Sequence, residues 1–110
     1  MIKLIETGGP YGSEGTYDFD VKFDRPYTIG ELIKEIYEDG NDSWGYVKIM
    51  NGREWWNGLD ICLYRYGKWE KPCPPEYLDR VIESATCNGG WSLLDFYVTL
   101  TEEVSENAGD

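Results

Sequence analysis

The chain contains no histidine among its 110 residues. That one absence excludes a Ser-His-Asp triad, a Cys-His dyad and every imidazole acid–base catalyst. It equally excludes zinc sites built from cysteine and histidine. Cysteine is scarce: Cys62, Cys73 and Cys87 are odd in number, widely spaced and without a CxxC pair. A disulfide framework calls for an even set in a secreted chain, so all three read as free thiols. Cys62 lies inside an apolar run and reads as a small core residue; Cys73, in the proline-rich stretch Lys71–Pro75, reads as the more exposed. Long apolar runs are also missing. Nothing approaches the roughly 18 residues of a membrane span, and no membrane partner is expected. Met1–Pro10 lacks the basic start, apolar run and small-residue cleavage site of a signal peptide, which makes the cytoplasm the expected compartment.

Bases are few, 10 against 21 acids, for a net charge of −11. The excess is spread along the chain: without the last ten residues, which carry four acids and no base, −7 remains. Such a surface repels nucleic acid and anionic membrane and favours basic partners or cations. No direct nucleic-acid binding and no cofactor are expected. The length suits one domain. We place it at residues 1–100 and read residues 101–110 as an acidic, disordered tail.

Local signals order the chain as hairpin, helix, further strands. Met1–Ile5 reads as a first strand, followed by a turn-rich stretch, Thr7–Gly15. Tyr17, Phe19, Val21 and Phe23 then alternate with Asp18, Asp20 and Lys22, the period of a half-buried strand. The spacing predicts a main helix over about 28–39. Thr28 and Glu31 fit a capping box, Tyr27 and Leu32 a hydrophobic staple, Ile29, Leu32, Ile33, Ile36 and Tyr37 one apolar face, and Gly40 a C-terminal stop. Strands are expected over Trp44–Met50 and Leu59–Tyr66, with tight turns at the Asn-Gly pairs 51–52 and 57–58. Pro74 and Pro75 open a short helix. Residues 80–87 fit either a helix or a strand; the Asn88-Gly89-Gly90 turn signal before Trp91–Leu100 favours a closing hairpin. The expected class is therefore α+β, with one main helix packed on a mostly antiparallel, twisted sheet. The hairpin–helix–strands order is similar to the start of a β-grasp topology, a likeness of element order that implies no activity.

Three motifs fit ordinary structural roles. Gly9–Gly15 matches neither GxGxxG nor GxxxxGK[ST], and its only charge is Glu14, so it reads as a hairpin loop. Glu38–Ser43 fails the calcium-loop pattern, since its sixth position from Asp39 is Trp44 and its twelfth Met50; no metal is expected. Asp18 and Asp20 stand roughly 7 Å apart by strand rise, within the separation used by inverting glycosidases, which makes a carboxylate-based hydrolase a remote alternative to a non-enzymatic chain.

Two surface patterns remain. Glu31, Glu35 and Glu38 form a stripe on the outer face of the expected helix, extended by Asp42, and Asp18 and Asp20 share a strand face. Together they suit a basic protein surface, and their spacing resembles the repeat of phosphates along nucleic acid. The leading expectation is a protein-interaction domain with an acidic face, in its sharpest form an inhibitor mimicking nucleic acid, of phage or mobile-element type. The alternative is a small-ligand or carbohydrate-binding domain that uses Trp55, Trp56, Tyr64 and Tyr66 as an exposed aromatic platform.

Overall fold

A computed structural model of the chain describes residues 1–12, 15–40, 44–51, 57–90 and 93–101. Of these, 61% are in strands and 17% in helices. The strands are β1 (Ile2–Tyr11), β2 (Thr16–Phe23), β3 (Gly45–Ile49), β4 (Leu59–Arg65), β5 (Lys68–Lys71), β6 (Ile82–Gly90) and β7 (Leu93–Leu100). They form one mixed sheet in the order β1-β2-β6-β7-β3-β4-β5. Only the β3–β7 pair is parallel.

This corrects the expected α+β class with a main helix. The segment after Thr28 is one α-helical stretch, α1 (Ile29–Ile33), which widens at once into a π-helical turn, Lys34–Glu38. The capping box forms as its residues dictate, with Thr28 Oγ1 accepting from the Glu31 amide and Glu31 accepting from the Thr28 amide. The Asp39 amide then reaches back to Lys34 O at 2.7 Å, the five-residue spacing of a π turn. Ten helical residues span about 15 Å, whereas seven strands spread over roughly 29 Å. No helix dominates, and the sheet sets the architecture. A second helix, α2 (Pro75–Leu78), is a single turn opened by Pro75.

Sheet order also departs from the β-grasp likeness. The chain leaves β2, passes through α1 and enters β3, but β3 does not lie beside β2. The closing hairpin β6–β7 occupies the gap and forms the centre of the sheet, β6 antiparallel to β2 and β7 parallel to β3. Residues 82–90 are thus strand, and pairing continues through Gly89 and Gly90. The Thr7–Gly15 stretch is less of a loop than expected, because β1 carries on to Tyr11 through two register shifts. The expected tail at 101–110 lies outside the described residues beyond Thr101.

One face of the sheet holds the core. Ile29, Leu32, Ile33 and Tyr37 close over Val47, Cys62, Phe96 and Val98, each 5% exposed or less. The Tyr37 ring meets Phe96 edge-on at 6.1 Å between centroids. The residues that alternate with these point away from both helices and form an open face. Gly45 brings the two together. Its φ of 151° and the Leu94 carbonyl against it leave no space for a Cβ. Backbone approach there lets the Tyr46 amide reach the Asp95 carboxylate on the open face, 3.1 Å away.

Candidate functional site

The open face carries two cross-strand rows. In the first, Asp18 on β2 stands opposite Asn88 on β6, and Asn88 opposite Asp95 on β7; the Asp95–Tyr46 hydrogen bond extends the row to β3. In the second, Asp20, Thr86, Tyr97, Lys48 and Asp60 follow one another across β2, β6, β7, β3 and β4. Side chains two apart along a strand share a face, so the rows lie side by side. Between them runs a groove of about 650 Å³, with Asp18, Asn88, Asp95, Tyr46, Tyr97 and Thr86 among its walls. A smaller hollow of about 380 Å³ adjoins it, reaching Asp20, Lys22 and Thr99 and sharing Thr86, Tyr97 and Met50.

Its polar groups are held in place by one another. Asn88 Nδ2 donates to Asp18 Oδ1 at 3.0 Å and to Tyr17 O at 3.3 Å. The Tyr46 and Tyr97 hydroxyls stand 2.9 Å apart, their rings edge-to-face at 5.9 Å. Burial, followed by the bond between the hydroxyls, pushes the Tyr46 phenol far above its ordinary range. Burial likewise pushes the Asp95 carboxyl up to about 6, against the Tyr46 amide, which favours its ionised form. A hydrogen bond from Tyr11 to Asp18 raises the Tyr11 phenol.

Of the lysines on this face, Lys48 is paired with Asp60, and Lys22 borders the hollow that Asp20 also lines. Lys48 Nζ lies 3.0 Å from Asp60 Oδ1 and 5.6 Å from the centre of the Tyr46 ring. Among the described residues no lysine or arginine forms an ion pair with Asp18, Asp20 or Asp95. Nor do the described residues bring together three or more Cys, Asp or Glu side chains able to hold a metal ion. The groove can therefore accept positive charge or hydroxyl groups.

The residues expected to form the acidic face are split between the two sides of the sheet. Asp18 and Asp20 lie on the open face. The glutamates lie on the helical side, and each is engaged. Glu31 completes the capping box and pairs with Arg25 at 3.1 Å. Glu35 accepts from the Ile2 amide at 2.8 Å and from Tyr27 Oη at 2.7 Å. Glu38 accepts from Trp69 Nε1 at 3.0 Å. Asp42 lies outside the described residues, as do Trp55 and Trp56. Of the aromatic platform, Tyr64 turns inward, its ring 5.5 Å from Tyr37 and 4.8 Å from Trp69. Tyr66 stands 86% exposed at the tip of the β4–β5 turn, with φ at 57°. The two do not share a face.

Sequence reasoning missed Asp95, Tyr97, Tyr46, Asn88 and Thr86. For Asp95 and Tyr97 the signal was present, since the alternation of Leu94, Phe96, Val98 and Leu100 places both on the opposite side. Asn88 was masked by its turn-like neighbours Gly89 and Gly90. Among the described residues no helix is long and apolar enough to cross a membrane. Comparison of the chain with protein-family models, curated proteins and solved structures returns no match.

Proposed function

We propose that this chain is a non-enzymatic binding domain whose recognition surface is the open face of the sheet, and that it takes a basic segment of a partner protein there. The observation that carries this reading is the set of three carboxylates, Asp18 and Asp95 in the groove and Asp20 in the adjoining hollow, without an ion-pair partner among the described residues. Keeping Asp95 in a buried position where ionisation is disfavoured costs stability, which is the usual mark of a group retained for a task other than folding. An arginine or lysine side chain entering the groove would meet two carboxylates beside the Tyr46 and Tyr97 side chains, surroundings that favour a cation. The nucleic-acid-mimic form of the idea keeps Asp18 and Asp20 but loses the helix stripe as a free, continuous surface.

Titration of the isotope-labelled protein with an oligo-arginine peptide tests the reading. Amide shifts are expected at Asp18, Asn88, Asp95 and Tyr46, and they should fade at about 0.5 M salt, where exposed charges are strongly screened. Shifts confined to Glu31 and Glu38, or binding indifferent to salt, would sink it. A second reading, a polyhydroxylated ligand such as a saccharide, is favoured by the Tyr46–Tyr97 hydroxyl pair and the Asn88 amide on the same wall. A glycan array with hits that survive high salt would favour it over the basic segment.

A further inference from the structure

At the hollow the open face changes sign. Lys3 on β1 stands directly opposite Lys22 on β2, and both are exposed. Lys22 lies two places from Asp20, and Lys3 two places from Ile5, the partner of Asp20. Both lysines therefore share the face of the groove. Val21 pairs with Ala85, which brings Ser84 to the next place beside Lys22, and Ser84 pairs in turn with Thr99. Lys22, Ser84 and Thr99 all line the hollow, and no hydrogen bond among the described residues uses either hydroxyl. Like charges directly opposite on one face of a sheet are destabilising, and this chain has acids to spare, 21 against 10 bases. Elsewhere it uses them: Arg25, Lys34, Lys48 and Arg65 each lie within 3.8 Å of a carboxylate. Lys3 and Lys22 form no ion pair among the described residues. Asp24, two places beyond Lys22, is taken by the Met1 amino group at 2.7 Å. A lysine on an edge strand guards the sheet against pairing with another, which accounts for Lys3. It does not account for Lys22, because β2 is an interior strand.

We infer that the partner segment carries both signs: an arginine or lysine that enters the groove and, four places away along an extended chain, an aspartate or glutamate that meets Lys3 and Lys22. The inference rests on the basic-segment reading of the groove and adds what accompanies the base. Spacing sets the four places. Asp18 and Lys22 are four residues apart on one strand, about 13 Å by strand rise. An extended segment covers the same distance in the same number of residues, with both side chains on one side of it. The acid meets an ammonium from each lysine and hydroxyl donors from Ser84 and Thr99, and charge-assisted hydrogen bonds are the stronger kind. It also relieves the repulsion between the two facing lysines, which the free chain leaves uncompensated.

The test is titration of the isotope-labelled protein, at low salt, with end-blocked serine–threonine peptides that each carry one arginine. The first has a glutamate four places from the arginine, the second a glutamine there, and the third a glutamate adjacent to the arginine. Each is made in both chain directions, because a segment can cross the sheet either way. In one direction the first peptide is expected to bind about two- to fivefold more tightly than the second, the range of an exposed ion pair, with added amide shifts at Lys3, Lys22 and Ser84. Such a gain is opposite in sign to the general field of a chain of net charge −11, which disfavours any added acid. The third peptide should gain nothing. Lys3→Gln/Lys22→Gln should erase the preference, whereas Lys34→Gln/Lys68→Gln, of the same net charge, should keep it. Equal or weaker binding of the first peptide in both directions overturns the inference, as does a preference that survives Lys3→Gln/Lys22→Gln. In either case oligo-arginine shifts at Asp18 and Asp95 leave the basic-segment reading standing, and loss of those shifts removes both.

Discussion

The two sides of the sheet treat their acidic residues in opposite ways. On the helical side, Glu31, Glu35 and Glu38 all serve as hydrogen-bond acceptors for the fold: a helix cap, a strand terminus and two aromatic side chains. On the open side, Asp18 is held by an asparagine amide, Asp95 by one backbone amide, and Asp20 by no hydrogen bond or ion pair among the described residues. The lesson is that a charged stripe in sequence does not distinguish charge used internally from charge left available. What separates Asp20 from the glutamates is whether a donor stands opposite, and that depends on the pairing of distant strands.

The contrast is broken most sharply by removing a helical-side carboxylate. Glu35→Ala deletes the acceptor of both the Ile2 amide and the Tyr27 hydroxyl. Hydrogen bonds to a charged group are worth roughly 1.5–3 kcal/mol each, and such losses overlap when one side chain makes both. A destabilisation of about 2–3 kcal/mol is expected from urea unfolding, with no loss of affinity for the oligo-arginine peptide once the variant is folded. Glu35→Gln, which keeps one acceptor oxygen, should recover about half. Weakened peptide binding by folded Glu35→Ala would show that the helical side takes part in recognition.

How much of this was readable in the sequence differs element by element. The alternation in Tyr17–Phe23 and Leu94–Leu100 and the Thr28–Glu31 cap are local, and the structure keeps them. Local signals also suggested the closing hairpin, because Asn88-Gly89-Gly90 breaks one apolar run from the next. The length of the helix was overread, because apolar residues at helical spacing say nothing about whether the second turn widens to the π form. Sheet order was out of reach: no residue in β2 or β3 announces that β6 and β7 will come between them. That insertion is also what builds the site. It brings Asn88 beside Asp18 and Tyr46 beside Asp95, over sequence separations of 70 and 49 residues.

Asp95 offers the next largest effect, and its sign is opposite to that of Glu35. Its carboxyl is raised from 3.8 to about 6 by burial, with Asp60 adding to the rise. Tyr37, Tyr46, Tyr97, Cys87, Asp18 and the Lys48–Asp60 pair are titratable or charged groups around it. Because the folded state binds this proton more tightly than the unfolded state, the fold gains stability as pH falls from about 6 towards 3.8 and loses it as pH rises through 6. Asp95→Asn removes the charge and keeps an acceptor for the Tyr46 amide. It should stabilise the protein by about 1–2 kcal/mol at pH 7, flatten this part of the pH profile and weaken the oligo-arginine peptide. Unfolding curves at about pH 5 and pH 7.5 read the first two effects. A destabilised Asp95→Asn would mean that the ionised carboxylate is held by the fold, and the open face would then resemble the helical side.

Asp20 gives the smallest change and the cleanest separation. It accepts no hydrogen bond and forms no ion pair among the described residues, so Asp20→Asn should leave stability within about 0.5 kcal/mol of the parent. Its carboxylate borders the hollow next to the groove, where a cation bound to Asp18 or Asp95 is within Coulombic reach but still partly in water. Exposed pairs of this kind contribute roughly 0.2–1 kcal/mol. A loss of peptide affinity of about two- to fivefold is therefore expected at low salt, vanishing as salt screens it. The matched control is Glu38→Gln, which removes one charge from the other side of the sheet at a residue that accepts from Trp69. The two variants have the same net charge, so any general effect of charge −11 on a basic peptide falls on both alike. Only a local site separates them. Equal losses of affinity in Asp20→Asn and Glu38→Gln would reduce the open-face site to the overall acidity of the chain.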